Sequence, residues 1–307
     1  MSVGIKNAER IRLTGEKRNI HFLDAAGKPY TYLMTVDRFL GEGSTCICYD
    51  VTVHKNPDDP GQKRVLKQFY PLPMKNELDI SMDGLELNIS GYTDDPETTH
   101  HKEITRLGAG FEEAFRKQAA LAKDDKIYDI IARPDLCYFN GATKYVLYEA
   151  DYGNTLDLNK ITTIEEFLHT MYKLACALEK LHSFGLIYMD LKPENILISG
   201  NGSVKLIDLD AVIDTNDLQN VHLSKGDIRF DMTDPCLIAP EIRPEMLGEF
   251  EQNKYFLLTN RVDIYSFGAI MLRWFLDRYP TENDCTAREF EQEILAMCRA
   301  LQEGIET

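Results

Sequence analysis

One stretch, Leu186 to Ala211, limits the fold more than any other part of the chain. Ile196 to Ile198 and Val204 to Ile207 are short apolar, β-branched runs on either side of Gly200-Asn201-Gly202. Glycine and asparagine between such runs predict a tight β-hairpin, because they accept the positive φ angles that its turn requires. With Ile198 opposite Val204, counting back sets Asn195 opposite Ile207, and its side chain falls beside Asp208 at the open end. Asp190 and Lys192 lie in the loop that feeds the first strand. Each of these residues alone would be an ordinary solvated turn residue. Together they place oxygen donors and a lysine at one hairpin mouth, which suits Mg²⁺ and a phosphate, since hard cations take carboxylate and amide oxygens.

Asp190-Leu191-Lys192-Pro193-Glu194-Asn195, followed by Asp208-Leu209-Asp210, resembles the catalytic core of eukaryotic-type protein kinases, whose catalytic loop reads H-R-D-L-x-x-x-N and is followed by D-F-G. The resemblance implies that Asp190 orients or deprotonates a substrate hydroxyl and that Lys192 neutralises the transferred phosphoryl. It likewise implies that Asn195 and Asp208 hold Mg²⁺ and contact ATP. Lysine two residues after the catalytic Asp is similar to the serine/threonine branch. Two residues depart from the pattern: Met189 stands where the family has arginine, and Asp210 where it has glycine. Met189 offers no fork of donors for an activation-loop phosphate, so activation by that route is not expected.

A chain of 307 residues, 44% hydrophobic, has room for one large two-lobed domain or two ordinary ones. Its formal net charge of -16 argues against nucleic acid and anionic membrane as partners, which call for basic patches. Seven cysteines without repeated close-spaced pairs fit neither a disulfide framework nor a zinc module, and they point to a reducing compartment. The start lacks the apolar core of a signal peptide, and no run reaches about 18 uninterrupted apolar residues, so a soluble cytoplasmic protein is expected.

Upstream, Ile20 to Leu23 and Tyr30 to Met34 read as a hairpin in an N-terminal extension, residues 1–36, packed on the lobe of strands beyond it. Leu40-Gly41-Glu42-Gly43-Ser44-Thr45-Cys46-Ile47-Cys48 is a turn between two strands, which excludes a dinucleotide fingerprint or Walker loop because no helix N-terminus comes after it. By resemblance it is the kinase Gly-rich loop: Gly41 and Gly43 match its first two glycines and approach the phosphates, while Cys46 replaces the third. Lys67, in the apolar strand Arg64 to Phe69, resembles the lysine that grips the α- and β-phosphates; a lysine facing inward there calls for an anion.

Residues 71–110 exceed the family pattern and read as an insertion, regulatory or docking, with His100 and His101 in a surface loop. Phe111 to Lys123 is helical, its face formed by Phe111, Phe115, Gln118, Ala119 and Ala122. In the family this helix supplies a glutamate to the strand lysine. Here Gln118 has the face and spacing, giving a hydrogen bond in place of an ion pair; Glu113 is the alternative.

Leu136 to Phe139 and Tyr145 to Tyr148 complete a five-stranded antiparallel sheet, and Glu149 to Gly153 read as a hinge whose backbone at Glu149 and Asp151 faces adenine, with Tyr148 at the back of the pocket. Thr163-Ile164-Glu165-Glu166 is a capping box that starts a long core helix, with His182 a structural residue at its end. Ala239-Pro240-Glu241 matches the family's A-P-E, and Asp263 to Leu272 resembles the family's long buried helix, whose first Asp is expected to brace the catalytic loop backbone.

The expected fold is thus α+β and two-lobed: residues 37–150 a sheet plus one helix, and residues 151–307 mainly helical, abbreviated or part of something longer. The resemblance implies an ATP- and Mg²⁺-dependent serine/threonine protein kinase acting on protein substrates. Cys46, Gln118, Met189 and Asp210 raise the alternative of a pseudokinase scaffold; a kinase-like phosphotransferase for small molecules is the third reading.

Overall fold

The computed structural model describes residues 15, 17–43, 45–71, 79–83, 86–90, 99–124, 126–150, 153–215, 235–239 and 259–276. In the first lobe, β1 (Lys17–Asp24), β2 (Pro29–Glu42), β3 (Cys46–His54), β4 (Gln62–Phe69), β7 (Pro134–Asn140) and β8 (Thr143–Glu149) form a closed barrel in the order β1-β2-β3-β4-β8-β7. β1 closes it by pairing Leu23 with Cys137 and Asp24 with Leu136. The expected five-stranded sheet is therefore corrected to six strands, because the hairpin at the N-terminal end joins the sheet instead of lying on it. This pairing of the first strand with the last covers part of the strand edge, the usual liability of an open sheet. The boundary expected between 36 and 37 falls inside β2, one strand from Pro29 to Glu42.

Strand alternation fills this barrel. Ile47, Tyr49, Val51 and Val53 recur at every second position of β3, each buried, as a two-residue side-chain period dictates. Phe22, Met34, Leu66 and Leu147 join them in one apolar cluster. The opposite face carries Cys48, Lys67 and Val146, which are register partners across β3, β4 and β8.

Packed on that face is α1 (Thr99–Leu121). Ile104, Leu107, Phe111, Ala114, Phe115 and Gln118 are buried along it, at the three- and four-residue steps of one helix face. The ring of Phe111 lies 5.8 Å from that of Phe69, and Phe115 lies 5.6 Å from Phe139. The helix begins at Thr99 rather than at Phe111, so His100 and His101 lie in its first turn and not in a loop. The apolar spacing of Ile104 and Leu107 is what carries the helix back through residues otherwise read as insertion. Ahead of it, β5 (Asp79–Asp83) and β6 (Glu86–Ser90) form a separate hairpin. Buried Leu87 joins the barrel's cluster, and its N–H donates to Thr143 Oγ1 at 3.0 Å.

In the second lobe, α2 (Ile164–Ser183) is capped by Thr163, whose Oγ1 accepts from Glu166 N at 3.2 Å. Its buried face, Phe167, Met171, Leu174, Leu178 and Leu181, meets α3 (Arg261–Leu276) where Phe167 stacks on Trp274 with centroids 4.2 Å apart. Short pieces complete the described part: β9 (Asn154–Thr155), β10 (Leu186–Ile187), β11 (Ile196–Ile198), β12 (Val204–Leu206) and β13 (Ile213–Asp214). The lobe has its own apolar cluster. The connector after α1 belongs to it: Leu206 N donates to Ile130 O at 2.7 Å, and Ala132 N donates to Leu206 O at 3.0 Å. No helix among the described residues is long and apolar enough to cross a membrane.

Candidate active site

The hairpin at the centre of the second lobe has the expected register: Ile198 faces Val204, Leu197 faces Lys205 and Ile196 faces Leu206. Gly202 takes φ +72° in the turn, and its N–H donates to Ser199 O at 2.8 Å. One step further, Ile207 N donates to Asn195 O at 3.0 Å. That bond fixes Asn195 beside the residue that precedes Asp208.

The mouth is compact and charged. Asn195 Nδ2 donates to Asp190 O at 2.9 Å and to Asp190 Oδ2 at 2.8 Å, while Lys192 Nζ meets the same Oδ2 at 2.7 Å. Two donors on one oxygen fix the direction of the Asp190 carboxylate. Across the groove, Lys67 Nζ on β4 reaches Asp208 Oδ1 at 2.7 Å. Asp190, Lys192, Asn195, Asp208 and Lys67 are thus brought together from both lobes. Asp208 sits in left-handed backbone at φ 59°, a conformation that aspartate tolerates better than most residues.

The loop below is held by Asp263 at the start of α3, fully buried. Its Oδ2 accepts from Tyr188 N and its Oδ1 from Met189 N, both at 2.8 Å, and Oδ2 also meets His182 Nε2 at 2.7 Å. Met189 has φ 72°, a cost of about 1–3 kcal/mol for a residue with a Cβ, and such backbone persists only where its surroundings over-determine it. The carboxylate of Asp263 supplies that constraint.

Tyr188 has a role that the sequence did not reveal. It is fully buried, and its hydroxyl donates to Ile207 O, the carbonyl just ahead of Asp208, and lies 3.5 Å from Asn195 O. Burial first, and then the charges of Asp190, Asp208 and Asp263, push its phenol well above the ordinary tyrosine range, so it remains a donor. The available signal was its place two residues before Asp190, where the kinase pattern has histidine, together with the open carbonyls of a hairpin mouth that need a donor.

The expected link between α1 and Lys67 is not formed by either candidate. Gln118 is buried with Nε2 donating to Ala132 O at 2.7 Å and Oε1 accepting from Tyr148 at 3.0 Å. Glu113 is exposed and lies 3.7 Å from Lys117. The reading of Gln118 as the lysine's partner is therefore corrected: an amide buried beside the connector satisfies the nearest backbone carbonyl. What α1 presents toward Lys67 is an aromatic ring, with Nζ 6.0 Å from the centroid of Phe111.

Gly41 is in β2 opposite Cys48, and Gly43 N donates to Cys46 O at 2.8 Å to close the loop tip. Glu149 ends β8 with its N–H donating to Arg133 O at 3.1 Å and its carboxylate paired with Arg133. Asp151, Pro240 and Glu241 lie outside the described residues. Gly153 is irreplaceable by its setting: at φ +83°, a Cβ there would come within 1.8 Å of Ile198 O, so the chain leaving the first lobe passes directly over β11.

Comparison with known proteins agrees with this geometry. The family model for the protein kinase domain matches residues 126–306. The chain belongs to the protein kinase domain family. The serine/threonine-protein kinase CHK1 of Mycosarcoma maydis is 29% identical over 174 residues, which are 54% of this chain and 24% of the relative. The serine/threonine-protein kinase PknD of Chlamydia pneumoniae is 26% identical over 187 residues, 54% of this chain and 19% of the relative. The serine/threonine-protein kinase RUNKEL of Arabidopsis thaliana is 32% identical over 123 residues, 40% of this chain and 8% of the relative. This kinase domain spans less than a quarter of the length of these curated relatives.

Proposed function

We propose that the chain is a serine/threonine protein kinase that transfers the γ-phosphate of ATP, with Mg²⁺, to a hydroxyl on a protein substrate. One observation carries the reading: a carboxylate, Asp190, is fixed by Asn195 and Lys192 within a groove whose other wall delivers a lysine, Lys67, to Asp208. Asp190 would take the proton of the incoming hydroxyl, and Lys192 would meet the charge of the moving phosphoryl. With both hydrogen bonds of its Nδ2 spent on Asp190, Asn195 has its amide oxygen to offer to a hard cation, and Asp208 adds a carboxylate. This donor set fits Mg²⁺, which takes oxygen ligands and retains several waters. Bound Mg²⁺·ATP supplies the phosphoryl group and neutralises its charge. The protein's share is position and electrostatics, as phosphoryl transfer generally requires.

Gly41 and Gly43 would let the loop backbone close over the phosphates, and the backbone of Glu149 and Asp151 would line the adenine edge. The side chain of Glu149 is held by Arg133, whose guanidinium stacks 4.0 Å from the ring centroid of Tyr128. That brace would keep the hinge backbone in place. The scaffold alternative is disfavoured by the geometry of Asp190, Lys192, Asn195 and Asp208, since a groove without chemistry has no use for a doubly bonded carboxylate at its base.

The test is incubation of the purified chain with Mg²⁺ and ATP labelled on its terminal phosphate, offering a basic protein and a serine peptide beside its tyrosine counterpart. Label is expected on the protein and the serine peptide. Nucleotide binding without any transfer would leave the scaffold reading standing in its place.

A further inference from the structure

The phosphoryl-transfer reading gives Lys67 to the phosphates and Asp208 to Mg²⁺, yet the structure joins these two groups to each other, with Lys67 Nζ 2.7 Å from Asp208 Oδ1. The pair is sheltered. The lysine side chain is 12% exposed and the aspartate 35%, so the ammonium has little water to turn to if its carboxylate is withdrawn. Lys67 is also built in place: it lies within β4, with Cys48 and Val146 as register partners on the flanking strands, and the ring of Phe111 stands 6.0 Å from Nζ. An acid of α1 that held this lysine would leave Asp208 open to metal. Those acids are directed elsewhere, Glu103 to Arg106, Glu112 to Arg116 and Lys144, and Glu113 to Lys117.

We propose that Lys67 makes metal binding conditional on nucleotide: it holds Asp208 against a divalent cation that arrives alone, and yields the carboxylate when phosphates give its ammonium another anion. This deepens the kinase reading above, on which it rests for the role of Asp208 as a metal ligand.

The charges at the mouth explain the condition. Lys67 pairs with Asp208, and Lys192 Nζ lies 2.7 Å from Asp190 Oδ2, so these four charges cancel. A dication added by itself would set two further positive charges beside two ammonium groups. Asp208 would have to abandon a lysine that is mostly shielded from water, and an unpaired ammonium in such a place is costly. A nucleotide's phosphates reverse the balance, because they bring more negative charge than the metal brings positive. Lys67 then changes one anion for another without standing unpaired, and Asp208 is released to act with the amide oxygen of Asn195. Linkage makes the effect mutual: the factor by which nucleotide raises metal affinity is the factor by which metal raises nucleotide affinity. Lys67 carries part of that factor.

The experiment titrates the full chain with Mn²⁺, which takes the same oxygen ligands as Mg²⁺, and follows water-proton relaxation, which separates Mn²⁺ on the slowly tumbling protein from Mn²⁺ free or on nucleotide in solution. Binding in the groove is the part that Asp208→Asn removes; the rest belongs to the surface of a chain with net charge -16. The native chain should show that part with ATP and not without it. Lys67→Met should bind Mn²⁺ without nucleotide at least about tenfold more tightly than the native chain, since a positive charge beside the carboxylate is gone. Adding Asp208→Asn to Lys67→Met should cancel the gain, the mark of coupling between these two residues. Lys192→Met, which removes the same charge from the mouth without touching Asp208, should gain clearly less. A Lys67→Met chain that gains nothing, or no more than Lys192→Met, overturns the gating by Lys67 and leaves the kinase reading intact. A native chain that takes up Asp208-dependent Mn²⁺ equally well with and without ATP does the same, and needs no variant. Mn²⁺ binding that Asp208→Asn leaves unchanged in every form, with ATP included, overturns the metal role of Asp208 and the gating together.

Discussion

On the second-lobe side of the groove, each residue of the hairpin mouth is tied to another: Asn195 to Asp190, Lys192 to Asp190, Tyr188 to the Ile207 carbonyl, and Asp263 to the loop backbone. On the first-lobe side, Lys67 is bound to Asp208, while the acids of α1 pair elsewhere. Glu103 meets Arg106, Glu112 meets Arg116 and Lys144, and Glu113 meets Lys117. The first wall is a fixed device; the second relies on the groove itself for its lysine's anion. A lysine on a strand face is costly unless it meets such an anion, and the Asp208 carboxylate at 2.7 Å is one. The Lys67–Asp208 ion pair joins the two walls, and changes on either side separate into effects on chemistry, on folding or on neither.

The largest effect is expected from Asp190→Asn, which retains the shape of the mouth and removes the proton acceptor. Transfer to a protein substrate should fall about 10²–10⁴-fold, the range of general-base catalysis, while Mg²⁺·ATP affinity stays within a few-fold by titration. Equal transfer by the variant would break the proposed division between the walls. Next is Asp263→Ala. It strands the N–H groups of Tyr188 and Met189 and loosens a left-handed backbone, so unfolding in urea should show a loss of about 3–5 kcal/mol. A loss below about 1 kcal/mol would mean that the loop holds itself.

Gln118→Ala sharpens the comparison from the other wall. It leaves the Ala132 carbonyl and the Tyr148 hydroxyl without their amide, and should lower stability by about 1–3 kcal/mol with unchanged nucleotide affinity. Glu113→Ala, an exposed change, should stay within about 0.5 kcal/mol. A drop in nucleotide affinity for Gln118→Ala would restore it as the lysine's partner. The smallest effect concerns Cys137 on β7, whose thiol burial pushes up from 9.0 to about 11. The unfolded chain releases this proton near pH 9, while the folded chain retains it to about pH 11. The folded state thus binds more protons in that window, and stability should decline as pH rises through it. Urea midpoints between those limits should flatten in Cys137→Ala.

How much of this was legible in the sequence depended on the range of the interactions. The hairpin was readable because Gly200-Asn201-Gly202 and the flanking β-branched runs act locally; its register then placed Asn195 against Ile207. The cap of α2 at Thr163 was readable for the same reason. The bracing Asp263 came from resemblance, not from spacing. The start of α1 was misjudged since Ile104 and Leu107 lie in a stretch rich in polar residues, where the apolar period is diluted. Gln118 was misjudged because its partners, Ala132 and Tyr148, are set by a connector whose path no local rule gives.

By itself, the sequence determined the periodicities, the turn chemistry and the order in which charged groups enter the groove, all of which derive from backbone geometry over a few residues. Tertiary structure alone decided that β1 closes the sheet into a barrel and that Lys67 meets Asp208. These depend on segments far apart in the chain, where burying apolar surface and satisfying each buried polar group select one arrangement among many that local pattern allows.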